Sequence, residues 1–164
     1  MRRAVAIPAA MMMLASCASP GAPADGGAAT VVEVVDGDTI VARFGDRSDT
    51  VRLIGIDTPE TVHPDRPVEC LGPEATAFVT EVIPPGTSIR VYRDVVARDH
   101  FDRLLGYVYR ASDGVFVNDE IVRHGYATPM SIAPNETFSA VFVTSAIDAR
   151  RADRGVWAAC GGGR

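Results

Sequence analysis

The chain contains no lysine, so its 16 permanently cationic side chains are all arginines. They are outnumbered by 21 acidic residues, which leaves a formal net charge of −5. Affinity for nucleic acids depends largely on contacts between cationic side chains and phosphates. We therefore expect any polyanion to be held weakly outside a local site.

A hydrophobic run long enough to span a membrane is also absent. Arg2 and Arg3 precede a short apolar stretch at residues 5–14, which ends in Leu14-Ala15-Ser16-Cys17. A charged start, a short apolar segment and small residues at its end are typical of a secretory signal. The ending also matches a bacterial lipobox, which predicts a lipid on Cys17 that anchors the protein in a membrane. The alternative is an ordinary secretory signal cleaved nearby, and both interpretations predict an exported protein.

The segment after this signal lacks the residues needed for a folded core. Residues 18–29 are almost all Ala, Gly, Pro and Ser, a composition that buries too little apolar surface to offset chain ordering. We interpret 1–17 as a signal peptide with a lipobox and 18–29 as a flexible linker. One domain over 30–160 and a tail at 161–164 complete the chain, in which no internal repeat is visible.

Cysteine is scarce, with only three in the chain. If Cys17 carries the lipid, Cys70 and Cys160 remain as one pair in an exported protein, where disulfides persist. We expect a Cys70–Cys160 disulfide that ties the end of the domain to its middle. Two unpaired buried thiols are the alternative.

Two periodicities alternate along the domain. β-Branched runs bounded by Asp-Gly, Gly-Asp and Pro-Gly turns predict strands, and apolar residues at helical spacing predict helices. Strands are predicted at 30–35, 39–44, 50–56, 88–96 and 104–109, with a short run at 115–117, and helices at about 72–82, 118–125 and 136–153. Asn118 is interpreted as a helix N-cap, and Trp157 is expected to pack against the core. About five strands and three helices predict an α+β fold built on a small OB-type barrel.

Carboxylates and arginines are concentrated in three short stretches of the domain. Asp36-Gly37-Asp38-Thr39 and the segment from Arg52 to Glu60 flank predicted strands, so they can converge at one end of a sheet; the third stretch is 99–103. Clustered carboxylates repel one another unless a cation lies among them, and hard oxygen ligands suit Ca²⁺ or Mg²⁺. Arginines beside such a metal match phosphate oxygens. The leading hypothesis is a site that cleaves phosphodiesters.

These motifs resemble the thermonuclease family, the staphylococcal-nuclease-like OB-fold nucleases, from about residue 31 to 157. The similarity is carried by Val-Asp-Gly-Asp-Thr at 35–39, Arg-Leu at 52–53, Asp-Thr-Pro-Glu at 57–60, Gly-Pro-Glu-Ala at 72–75, Asp-Arg-Leu-Leu-Gly-Tyr at 102–107 and Val-Asn at 117–118. Asp-Gly-Asp-Thr alone is common in hairpins, whereas Asp-Thr-Pro-Glu with an arginine five residues before the aspartate is far more specific.

The resemblance implies a calcium-dependent phosphodiesterase that cleaves DNA and RNA by metal-assisted attack of water. In it, Asp38 and Asp57 match the carboxylate ligands of Ca²⁺, and the backbone carbonyl of Thr58 completes the protein's part of that site. Glu60 matches the residue that activates or positions the attacking water. Arg52 and Arg103 match the two arginines that hold the scissile phosphate.

Several of these residues also have simpler interpretations. Asp36 is expected mainly to shape its turn, with metal contact as the alternative. The simpler alternative for Arg52 is an ion pair with Glu60 and no other role, and for Arg103 it is a solvated arginine before a strand. A non-catalytic OB-fold binding module is the competing function. Such a module would not need the whole set of polar residues, so we favour a nuclease, expected to be a monomer.

The chain departs from the resembled family where substrate binds. His100 and Phe101 stand where well-known members carry lysine and tyrosine, and Ser131 and Ala133 stand where a tyrosine pair is expected. Stacking of a base on an aromatic ring contributes about 1–3 kcal/mol. We therefore predict weak nucleotide binding with little base preference.

Overall fold

The computed structural model describes residues 27–61 and 67–161. The predicted signal peptide, the lipidation site Cys17 and most of the predicted linker lie outside the described residues. In chain order the elements are β1 (Gly27–Asp36), β2 (Thr39–Phe44), β3 (Arg47–Leu53), β4 (Gly55–Asp57), α1 (Gly72–Val82), β5 (Ser88–Tyr92), β6 (Leu104–Arg110), α2 (Val117–Arg123), β7 (Thr128–Met130), α3 (Ser139–Arg151) and α4 (Val156–Ala159).

Five of the strands form a closed barrel in the order β1-β2-β3-β6-β5. All neighbours in it are antiparallel except β3 and β6, which run parallel. Period-2 alternation sends Ile40, Val51 and Val108 into the barrel, where each is fully buried. The helices lie around this barrel, and α3 contributes the buried ring of Phe142 to the same core. The predicted α+β fold with a five-stranded barrel is confirmed.

The third predicted strand, 50–56, is wrong as a single element because the chain leaves the barrel after Leu53. Gly55 has a φ of +82°, and a Cβ atom built there would lie 2.3 Å from Cε2 of Phe142. Only glycine fits this turn without strain. The remainder, β4, pairs with β7, a strand that the sequence analysis did not predict. This break carries Asp57 away from the barrel wall.

The predicted end of β5 at residue 96 and the predicted N-cap Asn118 are also wrong. β5 ends at Tyr92, after which Asp94 accepts hydrogen bonds from Thr137 and Tyr107, so that the chain turns towards the segment before α3. Asn118 lies inside α2, fully buried, and its side chain accepts from the Val108 N–H and donates to carbonyl oxygens of the barrel. It holds α2 against β6 instead of capping the helix.

The ends of the domain differ from the prediction as well. β1 begins at Gly27 and pairs with β5 from its first residue, so 27–29 are strand rather than linker. The last predicted helix, 136–153, is shorter, and a one-turn helix, α4, follows it. In α4, Val156 is buried, whereas Trp157 is only half-buried beneath the guanidinium of Arg150. The short run at 115–117 forms only a bridge, between Phe116 and Tyr109.

Within 27–61 and 67–161, no helix combines the length and the apolar character needed to cross a membrane.

Candidate active site

The β2–β3 ladder places Asp38 beside Arg52 at one end of the barrel. Thr39, next to Asp38, is paired with Arg52 across the ladder. The Leu53 N–H donates to the Asp38 carbonyl over 2.8 Å, which continues the ladder by one bond. Two residues far apart in the chain are therefore neighbours because of strand register alone.

The Asp38 carboxylate is nearly buried and accepts three hydrogen bonds. Its Oδ2 accepts hydrogen bonds from the Thr58 N–H (3.1 Å) and the Thr58 hydroxyl (2.9 Å), and its Oδ1 accepts from the Thr39 hydroxyl. A Cβ atom at Gly37 would lie 2.9 Å from the Thr58 side chain, so this close approach needs glycine. The turn before β2 and the segment after β4 are thus locked together.

The Arg52 guanidinium bridges the two aspartates. One of its nitrogens lies 2.5 Å from Asp38 Oδ2, and the other lies 3.5 Å from Asp57 Oδ1. The side chains of Arg52 and Asp38 are 13% and 10% exposed, whereas that of Asp57 is 43% exposed. The inner ion pair is shielded from solvent, and the outer one is partly open to it.

Asp36 does more than shape its turn. Its Oδ1 accepts from the Gly37 N–H, as the turn interpretation expects, and also from the hydroxyls of Thr61 (2.8 Å) and Thr76 (3.2 Å). This one carboxylate joins the start of the β1–β2 turn, the segment after Glu60 and helix α1.

Arg103 and Arg52 line the same cavity of about 380 Å³, which is also lined by Met130 and Ile132. The Arg103 Nε lies 2.7 Å from Asp99 Oδ2, and its guanidinium carbon lies 5.3 Å from the centre of the exposed Phe101 ring. Although partial burial acts to raise it, hydrogen bonds from the Arg103 side chain and backbone bring the pKa of Asp99 below its ordinary value.

The backbone of Glu60 is held in place by Glu69. The Glu60 N–H donates to Glu69 Oε2 over 3.0 Å, and the Glu69 N–H donates to the Glu60 carbonyl over 2.9 Å. The carbonyl of Glu69 accepts from Gly72 at the start of α1. Cys70, the next residue, is joined to Cys160 by a disulfide, with 6.0 Å between the Cα atoms.

Of the predicted site residues, Asp38 contacts both Arg52 and Thr58, and Arg52 also contacts Asp57. Arg103 lines the same cavity as Arg52. Glu60 follows Thr58 by two residues. Sequence reasoning missed Glu69, Thr61 and Thr76. Their only signal was closeness to the quoted motifs, because their contacts depend on how α1 packs.

A metal ion needs several donors, and the described part of the chain holds no group of three or more His, Cys, Asp or Glu side chains arranged for one. The carboxylates of Asp38 and Asp57 nevertheless converge on one cation, the Arg52 guanidinium. Carboxylate and carbonyl oxygens are the donors that Ca²⁺ prefers. This donor set fits a calcium ion that takes its other ligands from water and substrate.

Comparison with known proteins identifies the family. The staphylococcal nuclease homologue family matches residues 50–159 of the chain. The chain belongs to the staphylococcal nuclease family. It is 32% identical to a thermonuclease of Staphylococcus intermedius, over 77% of this chain and 74% of that protein, and 29% identical to a thermonuclease of Staphylococcus hyicus, over 77% and 73%. It is also 35% identical to the endonuclease YhcR of Bacillus subtilis, over 77% of this chain but 11% of that protein.

Proposed function

We propose that this protein is a calcium-dependent nuclease that hydrolyses phosphodiester bonds of DNA and RNA. The observation that supports it best is that Arg52 and Arg103 line one cavity, and that the Arg52 guanidinium also contacts the carboxylates of Asp38 and Asp57. Membership of the staphylococcal nuclease family points to the same chemistry.

Asp38, Asp57 and the Thr58 carbonyl are the groups that would hold the ion. Bound Ca²⁺ would withdraw charge from a phosphate oxygen and offset the negative charge that develops during hydrolysis. Glu60 accepts a proton from the attacking water, a task for which an ionised carboxylate is suited. Its backbone is fixed by Glu69, so the carboxylate starts from a defined position.

Arg52 and Arg103 meet the phosphate. Their guanidinium groups donate hydrogen bonds to its oxygens and stabilise the extra charge of a five-coordinate phosphorus. Because an arginine does not give up its proton at neutral pH, both residues act through hydrogen bonds rather than as acids. A nucleotide base bound in this cavity would contact the exposed aliphatic side chains of Ile132 and Met130 instead of tyrosine rings.

The test is hydrolysis of DNA and RNA by the purified protein, with Ca²⁺ or with chelator. Glu60→Gln should reduce turnover by about 10²- to 10⁴-fold, the range for loss of a general base, while the unfolding midpoint stays near that of the unmodified protein. Glu81→Gln is the matched control, since Glu81 is exposed on α1. A Glu60→Gln variant as active as the control would remove the proposed base. An unmodified protein that binds nucleic acid without cleaving it would favour the binding module.

We also propose that the protein is exported and anchored through a lipid on Cys17. The proposal is supported by the charged start, the short apolar stretch and the lipobox ending. Mass spectrometry of the mature N-terminus would detect the lipid. Release of a Cys17→Ala variant from the membrane fraction is expected, and a Cys17→Ala variant that stays with membranes would contradict the anchor.

A further inference from the structure

Glu69 forms hydrogen bonds with both the backbone N–H and the backbone carbonyl of Glu60. Its carboxylate accepts from the Glu60 N–H, and its own N–H donates to the Glu60 carbonyl, at 3.0 and 2.9 Å. Glu69 follows Glu60 by nine positions, so this pairing is not a local turn. We call these two hydrogen bonds the Glu60–Glu69 clamp; they hold the backbone of the residue that we propose as the general base.

Each partner of this clamp is itself anchored. The Glu69 carbonyl accepts from Gly72 at the start of α1, and Cys70 is bonded to Cys160. A Cβ atom at Gly72 would lie 2.7 Å from the Thr61 methyl group and 3.0 Å from the Glu60 carbonyl. The start of α1 is therefore packed directly onto the segment that carries Glu60.

A second support holds the residue after Glu60. The Thr61 hydroxyl donates to Asp36 Oδ1, which also accepts from Thr76 on α1. Two contacts therefore connect this segment to α1. One holds the Glu60 backbone through Glu69, and the other holds Thr61 through Asp36. A carboxylate that must meet an attacking water gains from such fixation, because a misplacement of about 1 Å can cost about 10²-fold in rate.

We propose that Glu69 is a positioning residue for hydrolysis: its carboxylate, accepting the Glu60 N–H, sets where the Glu60 side chain can reach. This inference rests on the nuclease activity proposed above. It assigns Glu69 no contact with substrate, metal or the reacting atoms. What matters is the acceptor oxygen at the right distance, not the negative charge.

The test compares Glu69→Met with Glu69→Gln in the otherwise unmodified chain. Methionine retains the length of the side chain but cannot accept the Glu60 N–H well, whereas glutamine retains an acceptor oxygen and loses only the charge. We expect Glu69→Met to lower kcat by about 10- to 100-fold with KM within about twofold. Glu69→Gln should stay within about threefold of the unmodified kcat. Glu81→Met on the exposed side of α1 is the control.

A purely structural role is separated from positioning by a double variant. If Glu69 acts through Glu60, adding Glu69→Met to Glu60→Gln should change kcat little beyond Glu60→Gln alone, whereas a general structural defect would lower it further. Equal kcat in Glu69→Met and Glu81→Met, or additive losses in the double variant, would overturn the proposal. If Glu69→Met fails to fold, Glu69→Asp replaces it, since its shorter chain withdraws the acceptor while retaining the charge. An inactive unmodified protein would instead refute the proposed nuclease activity.

Discussion

Arg52 occupies the place between the two aspartates where we propose that a calcium ion binds. Its guanidinium contacts Asp38 at 2.5 Å and Asp57 at 3.5 Å, with the first pair nearly buried. Replacing Arg52 by methionine removes the cation and leaves the Asp38 charge with only hydrogen bonds from Thr58 and Thr39. The same change also removes the cation with which a metal ion would compete.

The magnitude follows from burial. Breaking a buried ion pair by removing one partner costs about 3–5 kcal/mol. Because Asp38 retains its hydrogen bonds, we expect the lower end, about 3 kcal/mol, for Arg52→Met without metal. With saturating Ca²⁺ the Asp38 charge is compensated again, so this loss should shrink to about 1.5 kcal/mol. That difference corresponds to about tenfold tighter Ca²⁺ binding by the variant, since 1.4 kcal/mol is tenfold.

The assay is urea unfolding followed by circular dichroism, once with chelator and once with saturating Ca²⁺, since a ligand that binds only the folded state raises its stability. Calcium calorimetry without nucleotide gives the affinity directly. Arg151→Met is the control, because Arg151 is 78% exposed and the substitution changes the net charge equally. If Ca²⁺ stabilises Arg52→Met and the unmodified protein by the same amount, Arg52 does not compete for the metal site and the reasoning fails.

Two further predictions concern stability. Burial raises the pKa of Asp119, whose carboxylate accepts a 2.6 Å hydrogen bond from Ser145. As pH rises, this carboxyl group therefore ionises in the unfolded chain before it ionises in the folded protein, so its ionisation lowers the stability of the fold. Asp119→Asn should then stabilise the protein by roughly 1 kcal/mol at pH 7 and by less in acid, as measured by urea unfolding at both pH values. An equal or greater gain in acid would contradict this. Cys160→Ser opens a loop with a sequence separation of 90 and should lower the free energy of unfolding by about 4 kcal/mol; a midpoint unchanged from that of the oxidised protein would contradict it.

The barrel could be predicted from sequence because its signals are local. The prediction for β2 at 39–44 and that for the helix at about 72–82 agree with the structure, since a turn pair or a proline marks their ends. Asp38 and Arg52 could be placed together for a related reason: Asp38 directly precedes β2 and Arg52 lies in β3, so the register of these two strands brings them into contact.

The errors share the opposite cause, which is contact with elements distant in sequence. The break at Gly55 depends on the close approach of the Phe142 ring of α3. A glycine inside a strand pattern is a signal for a bulge or a close contact, but the sequence analysis did not use it. Asn118 is a residue type that favours N-caps, but in the structure it is buried and its side-chain oxygen accepts a hydrogen bond from the Val108 N–H of β6. Glu69 belongs to no motif, and its contact with Glu60 depends on how the start of α1 packs against the segment that carries Glu60.

The two arginines of the candidate site, Arg52 and Arg103, are already paired with carboxylates. Arg52 contacts Asp38 and Asp57, and Arg103 contacts Asp99. A phosphate that enters must therefore exchange places with these carboxylates, and the net gain is smaller than for unpaired guanidinium groups. Calcium on Asp38 and Asp57 would release Arg52 from that competition. In an acidic chain without lysine, metal and phosphate should accordingly bind with positive coupling, each strengthening the other by the same factor.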